Sequence, residues 1–169
     1  MIIRRLLQIL PLFIIIALMI QLSFTRKSYA DAFAYIPNGG DDTVSIIKVS
    51  DNTITADIPV GDSPFGVAAS EEYLYVTNES DGTVSIISET YNMSIETLDA
   101  GTTPRGIAST SDGSYLYIAN YSENTLSVIN TSTQTRDTLN VGQGPVGVAM
   151  SPNNDYIYDA SVALEHLTG

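Results

Sequence analysis

Residues Tyr73–Asn78 read YLYVTN and residues Tyr115–Asn120 read YLYIAN. A third version, FAYIPN, stands at Phe33–Asn38, and a broken fourth, YIYDAS, at Tyr156–Ser161. Spacing shows that these are copies of one unit: Tyr35, Tyr75, Tyr117 and Tyr158 follow one another at 40, 42 and 41 residues. TVSII at Thr43–Ile47 returns at Thr83–Ile87 and, as TLSVI, at Thr125–Ile129. GDSPFGVA from Gly61 returns as GTTPRGIA from Gly101 and GQGPVGVA from Gly142. Three separate blocks keep one period, which is the signature of a repeat architecture.

Each period reads as four short strands. PFGVAAS, YLYVTN, TVSIIS and SIETLDAG are rich in β-branched and aromatic residues and are bounded by Gly, Asp, Asn, Ser or Pro. No helical periodicity runs between them. Alternation places Tyr73 and Tyr75 on one face of the strand and Leu74 and Val76 on the other. Both faces are therefore apolar, and such a sheet has to lie between two others.

A four-stranded sheet of about forty residues, repeated and apolar on both faces, meets the requirements of a β-propeller blade. The predicted fold class is all-β, with blades of four antiparallel strands, about three blades in an incomplete ring, preceded by an N-terminal hydrophobic helix. Small residues in GVA at Gly66–Ala68, GIA at Gly106–Ala108 and GVA at Gly147–Ala149 suit the crowded inner strands. Pro64, Pro104 and Pro145 open those strands where a missing N–H is least disruptive. Asp81–Gly82 and Asp112–Gly113 supply the positive-φ residues of tight turns.

YVTN at Tyr75–Asn78 and IPVGDSPFGVA at Ile58–Ala68 resemble the YVTN-family β-propeller repeat. The likeness runs from about Phe33 to Tyr158. The resemblance implies a propeller, usually seven-bladed, of the surface-layer and cell-envelope type found in archaea and bacteria, mostly without an assigned reaction. It also implies relatives among lactonases, a streptogramin lyase and electron-transfer subunits.

The ends depart from the repeat. Residues 1–30 read as a signal peptide or membrane anchor: Leu6–Phe24 is almost wholly apolar behind Arg4 and Arg5, and SYADA offers cleavage after Ala30 or Ala32. Arg26 and Lys27 also suit the flank of a retained anchor over residues 6–24. Either way the chain is expected to be exported, to the cell surface or the extracellular space. Residues 31–160 form the partial propeller, with repeat units near 33–72, 73–114 and 115–155, and residues 161–169 a divergent tail. DASVALEHLTG, after Tyr158, reads more like a short helical segment. Seven blades of this period need roughly 290 residues, so the chain is expected to be a piece of a longer propeller, to associate through its blade edges, or to stand as an open arc.

Past residue 30, Lys48, Arg105 and Arg136 face nineteen carboxylates, a formal charge of −16. That charge repels nucleic acid and anionic lipid, so neither is an expected partner, and membrane contact is expected only through residues 6–24. The expected partners are proteins or further copies of the chain. With no cysteine there is no disulfide or thiolate chemistry, and no cofactor motif is present. The lone His166 lies in the tail, so the repeats carry no Ser-His-Asp set and no enzyme activity is expected of them. The acidic turns GGDD (Gly39–Asp42), ESDG (Glu79–Gly82) and SEN (Ser122–Asn124) fall on equivalent loops. Hairpin chemistry accounts for them, with weak calcium binding as the functional alternative. Asn78, Asn92, Asn120 and Asn130 each open an Asn-x-Ser/Thr sequon and are the candidate glycosylation sites.

Overall fold

The computed structural model describes residues 32–161. The expected leader or anchor and its hydrophobic helix, and the tail beyond Ser161 with His166, lie outside the described residues. The strands are β1 (Phe33–Asn38), β2 (Thr43–Lys48), β3 (Thr53–Pro59), β4 (Pro64–Ala69), β5 (Tyr73–Asn78), β6 (Thr83–Ser88), β7 (Met93–Asp99), β8 (Pro104–Ser109), β9 (Tyr115–Asn120), β10 (Thr125–Asn130), β11 (Thr135–Asn140), β12 (Pro145–Met150) and β13 (Ile157–Ser161). They form antiparallel sheets in the orders β1-β2-β3, β4-β5-β6-β7, β8-β9-β10-β11 and β12-β13. Two blades are thus complete, one has three strands and one has two, and the described sheets do not close a ring. The prolines expected to open inner strands are the first residues of β4, β8 and β12. Each of these three sheets therefore starts at its proline, and the sequence units 33–72, 73–114 and 115–155 are offset from the sheets by one strand.

Sheets pack face to face, as the two-sided apolar pattern requires. Leu74, Val76 and Ile87 of the second blade meet Val44, Ile46 and Ile58 of the first. From its opposite face, Tyr75, Val84, Ile86 and Leu98 meet Ile107, Leu116, Ile118 and Ile129 of the third. Leu74, Val76, Val84, Leu116 and Ile118 have no accessible surface. Full burial of one such side chain contributes about 1.5–3 kcal/mol, so these two interfaces carry most of the hydrophobic stabilisation. The inner strands β4, β8 and β12 lie beside one another along one edge of the stack.

One expectation is corrected. Asp159–Ser161 does not leave the repeat for a helical turn: it continues β13, pairing Asp159 with Val148, Ala160 with Gly147 and Ser161 with Pro145. Ser161 takes the place that Asn78 and Asn120 hold in the complete blades, against the linker glycine Gly142. Strand pairing holds the backbone extended although the side chains no longer match the motif.

Candidate functional site at the linker end of the blades

The turns β1–β2, β5–β6 and β9–β10 and the linkers between blades gather at one end of the strands, and the repeat motif residues hold that end together. Asn78 Nδ2 donates to Thr83 Oγ1 and Ser85 Oγ, both at 2.9 Å. Asn120 Nδ2 does the same to Thr125 Oγ1 and Ser127 Oγ, at 3.2 and 2.7 Å. Each amide lies against a linker glycine. A Cβ on Gly61 would stand 2.6 Å from Asn78 Nδ2, and one on Gly101 equally close to Asn120 Nδ2. Thr77 bridges neighbouring blades: its Oγ1 accepts from Gly66 N at 2.8 Å and donates to Arg105 O at 2.7 Å. The register shift between Pro64 and Val67 turns the Gly66 amide toward that hydroxyl.

The acidic turns have a structural role. Asp42 Oδ1 accepts from Ser63 N at 2.8 Å, Asp81 Oδ2 from Asp62 N at 2.7 Å, and Asn124 Oδ1 from Gly144 N at 2.9 Å. Glu123 Oε1 takes the Thr102 hydroxyl at 2.5 Å. These carboxylates and amides fasten linkers to turns. Among the described residues no three His, Cys, Asp or Glu side chains come together as a metal site.

In the sequence, Arg105 stands apart as the one charged inner-strand position, with no role that the repeat assigns to it. It is the middle residue of Pro-x-Gly on β8, where β4 has Phe65 and β12 has Val146. Its guanidinium carbon lies 3.8 Å from the centre of the Tyr121 ring and 5.4 Å from that of Phe65. Its Nε and Nη2 both reach Glu79 Oε1 at 2.8 Å. Phe65 and Tyr121 nevertheless remain 44% and 37% exposed. The result is a fixed aromatic patch around a neutralised cation. Its sequence signal was the irregularity of the repeat: Phe, Arg and Val at one position, and Gly, Glu and Tyr at the position after the motif Asn. Residues that the repeat itself does not dictate are where surface chemistry varies.

The sequon asparagines separate by position. Asn78 and Asn120 are fully buried with their amide nitrogens engaged, so a glycan on either is incompatible with this packing. Asn92 is exposed in the β6–β7 turn with φ 48°. Asn130 is half-buried at the start of the β10–β11 turn, where its Oδ1 accepts from Ser132 N and Thr133 N.

At the opposite end of the strands, inter-blade grooves are lined by the motif tyrosines. Tyr35 OH donates to Glu89 Oε1 at 3.3 Å, and burial, then the Glu89 charge and this hydrogen bond, push its phenol up to about 12. Tyr75 OH donates to Gly113 O at 3.2 Å, and burial raises that phenol too. Asp112 is held down to about 2 by hydrogen bonds from Thr110 and then Ser114.

This architecture is β-propeller-like. The chain is similar to hydrazine synthase from Kuenenia stuttgartiensis, with a TM-score of 0.73 at 22% identity over 79% of this chain and 40% of that one. It is also similar to a functionally unknown protein from Desulfotomaculum acetoxidans, with a TM-score of 0.61 at 16% identity over 77% of this chain and 49% of that one. The chain therefore spans less than half the length of either. In all, 691 solved chains match, and a fold so widely used does not by itself select a function. Neither a family model nor a curated protein matches the sequence.

Proposed function

We propose that the chain is an exported, non-enzymatic cell-envelope protein of the YVTN-repeat type, whose blades offer a rigid acidic surface for structural or protein–protein contact. The observation that carries this reading is the linker end of the blades. There Asp42, Asp81 and Glu123 fasten linkers to turns, and an aromatic and arginine patch lies beside them. An enzyme of the lactonase or lyase type needs converging acid–base groups or a metal at such a place. Export rests on the apolar run at residues 6–24 and on the acidic charge of residues 31–169. Asn92 and Asn130 are the sites offered for glycosylation, and blade edges are the surfaces offered for self-association.

The test is fractionation of the source cells, with antibody detection of the full chain and a parallel assay of lactone hydrolysis by the purified protein. Recovery with the envelope or medium and no turnover is expected. A cytosolic protein, or one that hydrolyses lactones, would overturn the reading.

A further inference from the structure

We propose that the linker end of the blade stack docks a basic peptide segment of another protein, with Phe65 and Tyr121 as its apolar anchors. This rests on the contact-surface reading above and adds where the partner sits and what its chemistry is. Two independent features support it. The first is pre-organisation: the planar Arg105 guanidinium lies over both rings while Glu79 takes its charge. A stacked, neutralised arginine beside exposed aromatic rings matches the residue types that dominate binding energy at the centres of protein interfaces.

The second feature is charge. Asp41, Asp42, Asp62, Asp81 and Glu123 lie in the turns and linkers around the patch, whereas the two cations that reach this end are each paired with a further carboxylate, Arg105 with Glu79 and Arg136 with Asp99, both at 2.8 Å. The backbone amides that hold Asp42 and Asp81 position these carboxylates without cancelling their charge. A basic segment is steered to such a rim, whereas an acidic one is repelled. The opposite end also has carboxylates near tyrosines: Glu71, Glu72 and Glu89 line a groove of about 480 Å³ with Tyr73 and Tyr91. Tyr91 is 73% exposed there, whereas Phe65 and Tyr121 each lie against the Arg105 guanidinium.

The experiment uses the full chain in mild detergent and a labelled peptide of alternating lysine and tryptophan. Its controls are a lysine–glycine peptide and a glutamate–tryptophan peptide. Affinity is read by fluorescence anisotropy and the footprint by hydrogen exchange. Slowed exchange is expected at residues 62–65, 79–81, 102–105 and 121–123. Phe65→Ala and Tyr121→Ala are each expected to weaken binding about tenfold, the size of a moderate interface hot spot. Phe65→Leu, which keeps apolar bulk, is expected to retain binding and guards against misfolding of the alanine variants. Protection at residues 71–73 and 88–91, equal affinity of the alanine variants, lysine–glycine binding as tight as lysine–tryptophan, or no binding at all would each overturn the proposal. A relocated footprint removes this site alone, whereas turnover by the full chain removes the contact-surface reading beneath it.

Discussion

At the scale of single residues, the motif letters turn out to be hydrogen-bonding parts. Thr77 has no accessible surface and serves two backbone groups of different blades through one hydroxyl. Thr77→Val keeps the shape and strands both groups, which costs about 1–3 kcal/mol; a lowered melting temperature is expected, with Thr77→Ser intermediate. Tyr35 gives a pH signature. Its folded-state value of about 12 lies above the ordinary 10.0, so the folded chain keeps a proton that the unfolded chain gives up. The corresponding stability is whole below pH 10 and is lost as the pH rises through about 12. Alkaline tyrosine absorbance should therefore show a late component that shrinks in Tyr35→Phe. A Tyr35→Phe titration identical to wild type would contradict the assignment.

At the scale of elements, close approach between the linker and the motif asparagine limits which residues fit. Gly101 has φ +114° and presses on the Asn120 amide, whereas a Cβ on Gly40 would meet nothing within 4 Å. Gly101→Ala is expected to destabilise by more than about 1 kcal/mol, and Gly40→Ala to be neutral or slightly stabilising, in paired thermal melts. The strands were legible because the repeat displays them several times over: PFGVAAS, YLYVTN and TVSIIS fall within a residue of β4, β5 and β6. Proline starts and Asp-Gly turns were legible for the same reason, since each answers to one backbone constraint. What sequence could not display was contact between distant copies. The pairing of Glu79 with Arg105, the stacking of Arg105 on Tyr121 and the burial of Asn78 and Asn120 depend on how blades meet. The sequons therefore offered four candidate asparagines, and packing makes Asn78 and Asn120, the two that close the motif strand, inaccessible. The β13 extension was missed because Asp159 and Ser161 lack the motif chemistry, and pairing with β12 does not need it.

At the scale of the whole molecule, each blade touches only its neighbours, so stability is close to a sum of interface terms. Leu74 belongs to the interface between the first and second blades and Leu116 to that between the second and third. Leu74→Ala and Leu116→Ala are each expected to cost about 2–5 kcal/mol. Because they sit in separate clusters, the double variant should come within about 0.5 kcal/mol of the sum in denaturant titrations. A marked departure from additivity would mean that the stack unfolds as one inseparable core. The outer strands behave differently. β3 and β7 have seven residues and a register shift against their partners, whereas β11 has six and pairs without one. One residue has been gained or lost at the rim, yet the linker at Gly142–Pro145 still reaches its place over Asn124. The periphery thus absorbs a one-residue difference between blades without displacing the linker that follows it. It is also where an epitope or fluorophore could be inserted with least effect on the inner strands.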